Sequence, residues 1–255
     1  MAFRETIHKF DKISLEEMDG VKLMNRTDTK FTFHENHLND VLLSIKDKYR
    51  VLEINDKRAS AYDTLYYDTS ALDLYMKHQN GMLNRYKIRH RTYVDSNIGF
   101  LEVKFKNNKG RTIKTRIKKK DVPNVFREDS ESFLKTQLPF DPSVLVPTVW
   151  VNYKRITLVS KFSTERLTID TDLEFMKDGL NFKMEKLVIA EVKQDRKKVS
   201  AFIELMKKLH IREGGISKYC LAVISTFPQI KRNSFKPKLI TLKKIIPDVP
   251  IANLC

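Results

Sequence analysis

The sequence predicts an α+β protein in which one antiparallel sheet closes into a β-barrel with helices against its outer side. Two observations support this fold class. Segments with the pattern of strands are numerous, and the helical segments among them lack the regular β-α-β order of parallel sheets. Several strand segments also carry charged side chains on one face and apolar side chains on the other. Closing such a sheet with its apolar side outward gives a wet, cationic interior.

The first elements can be placed from local signals. Ser14 and Glu17 have the spacing of a capping box, which predicts a helix after Ser14. Residues 26–33 predict a strand, and apolar residues at helical spacing between positions 38 and 45 predict a helix. A tyrosine-rich strand is predicted at residues 61–67.

Three strands are predicted between residues 85 and 118, because turn-forming sequences at 95–97 and 107–110 interrupt that stretch. A short helix follows at 129–138. An amphipathic helix is predicted at 199–209, ended by Gly214 and Gly215, and a last helix begins at Ser217. The remaining strands are predicted at 151–159, 166–175 and 187–193.

The chain shows no internal repeat, so we expect a single domain over residues 1–227 and a basic, proline-containing tail over 228–255. The tail is expected to have loose or partner-dependent structure. Its lysines could bind membrane lipid or a membrane-protein partner, or could form a solvated end. The beginning of the chain lacks the apolar run of a signal peptide, and no transmembrane segment is predicted. Two cysteines without zinc-ligand spacing favour the cytoplasm.

Charge sets the class of partner. The chain has 48 Lys and Arg residues against 32 Asp and Glu residues, a net charge of +16, which favours a polyanionic partner. Neither glycine-rich phosphate-binding motif, GxGxxG or GxxxxGK[ST], is present, so phosphates would have to be bound by side chains.

The strand pattern predicts on which face of the sheet these cationic side chains lie. The cations of the segment at 85–91 fall on one face, opposite Tyr86, Ile88 and His90; they are Arg85, Lys87, Arg89 and Arg91. Segments 26–32, 102–106 and 112–118 alternate in the same way. An ordinary solvent-facing sheet would also alternate, but neighbouring side chains of one sign repel each other unless an anion lies between them. Nucleic-acid-binding sheets carry exposed aromatic side chains, and these charged faces carry few, so phosphate is expected rather than nucleic acid.

Eight short segments, taken in order, resemble the VTC (vacuolar transporter chaperone) domain of the CYTH-like triphosphate tunnel metalloenzymes, over residues from about 20 to 226. The segments are RTDTKF (26–31), YYDT (66–69), RYKIRHR (85–91), LEVK (101–104), YKR (153–155), ERLTID (165–170), AEVK (190–193) and SKY (217–219). The resemblance implies a tunnel that encloses a linear phosphate chain, with ATP and polyphosphate as substrates and Mn²⁺ or Mg²⁺ as cofactor. It also implies a phosphotransferase that adds the γ-phosphate of ATP to the chain.

Site residues follow from the resemblance together with strand alternation. The resemblance implies that Glu191 binds the metal. The candidate catalytic residues are Arg89, Arg91, Lys104 and Lys218. The candidate substrate-binding residues are Lys30, Lys87, Arg155, Arg166, Lys193 and Glu102.

One difference between this sequence and a motif of the superfamily bears on the type of reaction. Hydrolase and cyclase members of this superfamily resemble one another in an E-x-E-x-K motif on the first strand, and here the triplet is Arg26, Asp28 and Lys30. Losing one carboxylate weakens metal-activated attack by water, so the sequence favours a polymerase. A triphosphatase or nucleoside triphosphate hydrolase, and a non-catalytic module that binds polyphosphate or nucleic acid, are the alternatives.

Overall fold

The computed structural model describes residues 2–19, 27–195 and 199–248. The helices are α1 (Ala2–Thr6), α2 (Leu15–Asp19), α3 (Leu38–Ile45), α4 (Asp73–Gln79), α5 (Glu128–Gln137), α6 (Ala201–Lys208), α7 (Lys218–Thr226) and α8 (Lys236–Ile245). The strands are β1 (Asp11–Ile13), β2 (Thr27–His34), β3 (Tyr49–Leu52), β4 (Ser60–Thr69), β5 (Arg85–Tyr93), β6 (Ile98–Lys106), β7 (Thr112–Lys118), β8 (Leu145–Ser160), β9 (Glu165–Lys177), β10 (Leu180–Met184) and β11 (Leu187–Gln194).

Within the described residues, eleven strands form one sheet with the order β2-β11-β9-β8-β4-β5-β6-β7. Every neighbouring pair along this path is antiparallel. Three short strands lie off the path. Strand β10 pairs antiparallel with the end of β9, β3 pairs with the end of β8, and β1 pairs in parallel with β3. The predicted antiparallel α+β architecture with flanking helices is confirmed.

The predicted closure into a barrel is wrong for the described residues, because β2 and β7 end the path without pairing with each other. The segment after α6 occupies the outer edge of β2 instead: the Gly214 N–H donates to the Lys30 carbonyl at 2.8 Å, and Phe31 forms a bridge with Glu213. A Cβ on Gly215 would lie 3.0 Å from the Cβ of Lys30, so this close approach favours glycine.

The sheet nevertheless curves strongly. Lys30 on β2 and Lys104 on β6 are separated by five strands in the sheet order. The ammonium group of Lys30 still contributes to lowering the pKa of Lys104, so the sheet brings these two side chains near each other. The sheet is therefore a deeply curved, open one, and the face with the charged side chains, which we call the charged face, is its concave side.

Helices cover the apolar, convex face in two places. Leu38, Leu42 and Phe202 of α3 and α6 pack against Phe33 and Leu167 of the sheet. Towards the other end of the same face, Leu134 of α5 packs with Ile88 and Leu101, and the partly buried Trp150 of β8 packs against that cluster.

Helix α7 lies on the charged face rather than outside it. A left-handed residue, Asp172 (φ 51°), interrupts β9, and the register shifts between Asn152 and Lys154 of β8. After this break Leu173 and Phe175 lie on the same side as Asp170, so one end of the concave face is apolar and packs against α7.

Most predicted elements are confirmed, including the capping box, in which the Ser14 N–H donates to the Glu17 carboxylate at 2.8 Å. Three predictions need correction. The helix before Gly214 already ends at Lys208, with His210 left-handed, and the glycines belong to the segment along β2. The tail is not loose throughout, because α8 buries Leu239 and Leu242 in the cluster around α7. Arg26, predicted to begin β2, lies outside the described residues.

Among the helices of the described ranges, none has the length and hydropathy needed to cross a lipid bilayer.

Candidate functional site

Strand register brings the predicted cations together. Lys87, Lys104 and Lys114 stand side by side across β5, β6 and β7. Two positions along each strand, and therefore on the same face, Arg89 pairs with Glu102, which pairs with Arg116. Since side chains at paired positions share a face, the charged face carries two adjacent cross-strand rows of mainly basic residues.

Glu191 of β11 lies between two lysines at the β2 end of the charged face. Its carboxylate accepts a hydrogen bond from Lys30 Nζ and another from Lys193 Nζ, the second at 2.7 Å. Burial alone would raise the pKa of Glu191, but the charges of Lys193 and Lys30 outweigh it and hold the pKa well below its usual range. Burial lowers the pKa of Lys193 to about 8, and the charge of Glu191 partly offsets this effect.

Asp170 of β9 joins the sheet to α7. Arg155 of β8 donates two parallel hydrogen bonds to its carboxylate, Nε to Oδ1 at 2.6 Å and an Nη to Oδ2 at 2.8 Å. Lys218 Nζ, in the first turn of α7, lies 2.5 Å from Oδ2. Burial raises the pKa of Asp170, but these two cations reverse the shift and keep the carboxyl ionised. This triad fixes where the Lys218 ammonium group lies on the charged face.

The two arginines of β5 differ in their partners. Arg89 donates from Nε to Glu102 at 2.6 Å and from an Nη to the Tyr66 hydroxyl at 3.3 Å. Arg91 is 9% exposed and lies 5.5 Å from the ring centre of Tyr62, and its Nε has no hydrogen-bond partner within the described part of the chain. A buried guanidinium donor of this kind is suited to an anionic ligand.

The lysine row carries the strongest like-charge crowding. Lys87 Nζ donates to the Ser217 hydroxyl at 2.6 Å, and burial lowers the pKa of Lys87. Partial removal from water, together with the ammonium groups of Lys87, Lys114 and Lys30, lowers the pKa of Lys104 to about 7. Lys87, Arg89, Lys104 and Lys114 line a cavity of about 240 Å³.

The structure places the eleven predicted site residues on the charged face or, for Lys218, at the helix that covers it. Arg166 stands apart from the cavity, near the β2 edge, where its position pairs with Lys193 and an Nη lies 3.5 Å from the Met18 carbonyl. The roles assigned to these residues stay predictions.

Several side chains of the site were not predicted. Asp170 belongs to the ERLTID segment but looked like one more strand carboxylate. Lys114 showed the right alternation and was given no role. Tyr62, Tyr66 and Tyr153 lie beside Arg91, Arg89 and Arg155, and the tyrosine-rich composition of the strand at 61–67 was the available signal.

A divalent metal fits this site only together with a substrate. No group of three or more His, Cys, Asp or Glu side chains within the described ranges is arranged to hold a metal ion. Mg²⁺ is often held by one or two carboxylates plus substrate phosphates. Glu191, ionised and on the charged face, has the hard oxygen donors for that arrangement, with Asp28 diagonal to it across β2 and β11.

A curved antiparallel sheet with a cationic concave face defines a class of protein whose site is suited to polyanions. A family model supports and narrows this class: the VTC domain matches residues 25–227. The chain therefore belongs to the VTC domain family.

Similar solved structures are distant in sequence. A proposed adenylate cyclase from Bacillus halodurans is 13% identical, with 76% of this chain and 96% of that chain covered and a TM-score of 0.44. HpAC1 from Hippeastrum, a proposed adenylyl cyclase with a dominant triphosphatase activity, is 13% identical, with coverage of 77% and 95% and a TM-score of 0.49. A conserved hypothetical protein from Pyrococcus furiosus is 12% identical, with coverage of 78% and 99% and a TM-score of 0.42. Among curated proteins, none matches the chain.

Proposed function

We propose that this protein is an ATP-dependent polyphosphate polymerase that transfers the γ-phosphate of ATP to a polyphosphate chain held on the charged face, with Mn²⁺ or Mg²⁺ as cofactor. The observation that carries the proposal is the row formed by Lys87, Lys104 and Lys114, with Lys30 close enough to contribute to lowering the pKa of Lys104. The like charges of these ammonium groups repel each other, and a linear polyanion relieves that repulsion. Family membership supports the same substrate class.

Phosphoryl transfer depends on alignment and on neutralising the charge of the transferred group, and both can come from side chains already in place. Arg89 and Arg91 offer planar donors for pairs of phosphate oxygens, and Lys218 supplies a point charge from the opposite side, at α7. Lys30 and Lys193 can turn from Glu191 to phosphate. A divalent metal held by Glu191 would neutralise charge shared between neighbouring phosphates.

We favour transfer to a phosphate chain over transfer to water. A terminal phosphate is already an anionic nucleophile, so no general base is required. The carboxylates near the cavity are held by cations, since Glu102 binds Arg89 and Asp170 binds Arg155 and Lys218. These carboxylates suit retention of an anionic chain better than activation of water. As the compartment we propose the cytoplasm, where a membrane-protein partner could hold the enzyme at a membrane.

The reaction can be tested directly. Purified protein is incubated with ATP and Mn²⁺, and the products are separated by gel electrophoresis and by nucleotide chromatography. We expect a ladder of phosphate chains together with ADP. Orthophosphate in proportion to ADP, without chains, would instead indicate the hydrolase, and tight polyphosphate binding without turnover would indicate a non-catalytic module.

Substitutions on the two faces of the sheet test the site. We expect Arg89→Ala and Lys218→Ala each to lower turnover by about 100-fold or more, because each removes a cation preorganised for the transferred phosphate. Lys154→Ala is the matched control, since Lys154 adjoins Arg155 but lies on the convex face. The side chain of Lys154 is 44% exposed, whereas that of Arg155 is 17% exposed. Circular dichroism checks folding. Wild-type turnover in both Arg89→Ala and Lys218→Ala would contradict the proposal.

A further inference from the structure

A series of adjoining cavities leads from the charged face to α8. The first cavity, which holds the lysine row, shares Lys87 and Lys104 with a second cavity of about 390 Å³. The second cavity reaches Lys238 in the first turn of α8. Lys238 also lines a third cavity, of about 560 Å³, that lies between α8, the end of β2 and the segment 210–216. One lysine thus borders both the second and the third cavity.

The lining of this path is cationic. The second cavity adds Arg85 and Lys106 to the shared lysines, and no Asp or Glu belongs to its lining among the described residues. The third cavity adds Arg212 and Lys244, and Glu213 is the carboxylate among its described lining residues. Such a run of one sign is unfavourable in the free protein and favours an extended anion that follows the same course.

Nucleic acid and polyphosphate differ in what they require of a binding groove. Single-stranded nucleic acid binds to grooves in which aromatic rings stack on the bases. The Phe side chains at these two cavities, Phe33 and Phe235, are buried in the core, no Tyr or Trp is among the described lining residues, and the rings that remain are those of histidines. Polyphosphate has no bases and needs cations alone, and the first cavity of the path is the one assigned above to phosphate.

We propose that Lys238, Lys244 and Arg212 form an exit track that holds the part of a polyphosphate chain that has already passed the charged face. The proposal rests on the proposed function and extends it to α8, which lies outside residues 25–227, the part matched by the family model. Holding the product along α8 keeps the chain bound between successive additions, so the track favours long products.

The test compares binding of two ligands to three proteins. Isothermal titration calorimetry measures the affinity of tripolyphosphate and of long-chain polyphosphate for the wild type, Lys238→Glu and Lys243→Glu. Lys243 is the matched control, because it is an exposed lysine of the same helix that lines neither cavity. We expect Lys238→Glu to weaken long-chain binding roughly tenfold, to leave tripolyphosphate binding unchanged and to shorten the chains made from ATP. Lys243→Glu should change each affinity less than twofold.

Three results would overturn the exit track. Equal losses in Lys238→Glu and Lys243→Glu would show an effect of net charge alone, and unchanged long-chain affinity in Lys238→Glu would show that Lys238 is not on the path. Competition by single-stranded RNA as strong as that by polyphosphate would assign the groove to nucleic acid. Failure of the wild type to bind tripolyphosphate would overturn the proposed function itself, which separates the two claims. Thermal unfolding checks that both variants fold.

Discussion

The protonation of Lys104 is expected to change when an anion binds beside it. Its pKa is lowered to about 7 by partial burial and by the neighbouring ammonium groups of Lys87 and Lys114. In the free protein at pH 8, most Lys104 side chains are therefore neutral. A phosphate beside Lys104 stabilises the charged form and returns its pKa toward the usual value near 10.5.

We accordingly expect proton uptake when tripolyphosphate binds at pH 8. Since the bound state holds more protons than the free state, affinity should fall as the pH rises above about 7. Calorimetry in two buffers with different ionisation enthalpies measures the uptake. Lys104→Met should remove the larger part of it, while Lys193, whose pKa is lowered to about 8, accounts for the rest. Substitution of the exposed Lys109 by Met serves as the control, and identical heats in both buffers would contradict the expectation.

Alternation in the sequence identified the cations of the site but not their partners. The spacing of Arg89 and Lys104 shows the face on which each lies within its own strand. Which carboxylate meets which cation depends on strand register, and register is a property of the folded sheet. The triad of Arg155, Asp170 and Lys218 joins β8, β9 and α7, so no local pattern could have predicted it.

At the scale of elements, one buried carboxylate ties together a strand and two helices. Asp68 at the end of β4 is fully buried and accepts hydrogen bonds from the N–H groups of Leu74 and Tyr75, at 2.8 and 2.9 Å, in the first turn of α4. It also accepts one from the hydroxyl of Tyr219 in α7. The YYDT segment thus positions the helix that carries Lys218.

We expect Asp68→Ala to lower the free energy of unfolding by about 2–4 kcal/mol, because it leaves several buried donors without an acceptor. Urea denaturation provides the measurement. Asp47→Ala, at an exposed position, should change stability by no more than about 0.5 kcal/mol. A loss for Asp68→Ala as small as that of the control would show that the carboxylate does not join these elements.

Local signals predicted some elements and missed others for physical reasons. The strands β5, β6 and β7 were predicted because turn residues separate them. Helix α8 was missed because the prolines and lysines of the tail are typical of unstructured segments, whereas α8 is stabilised by burying Leu239 and Leu242 against a distant part of the chain. The left-handed Asp172 changes which residues of β9 face inward, and nothing in the sequence around it indicates the break.

For the whole molecule, the net charge of +16 is concentrated partly on a concave surface. Among the residues that the structure describes, β2 and β7 do not pair, so that surface has no hydrogen-bonded seam there. Repulsion across the concavity opposes the compact state of the free protein, and either mobile ions or a bound polyanion can relieve it.

We therefore expect the urea midpoint of the free protein to rise as sodium chloride increases from low to physiological concentration. At equal ionic strength, tripolyphosphate should raise the midpoint much further. At a concentration 100 times its dissociation constant, the ligand should increase the free energy of unfolding by about 2.7 kcal/mol. Sodium sulfate at matched ionic strength is the control for a small anion. Equal midpoints in tripolyphosphate and sulfate would rule out a specific site.

The packing of Trp150 gives these experiments separate optical signals. The chain contains one tryptophan, which lies on the convex face against the α5 cluster, whereas Tyr62, Tyr66 and Tyr153 lie among the arginines of the charged face. Tryptophan emission should consequently follow unfolding of the outer layer and respond little to ligand. Ultraviolet difference spectra of the tyrosines should instead follow occupancy of the cavity, so stability and binding can be recorded on one unlabelled sample.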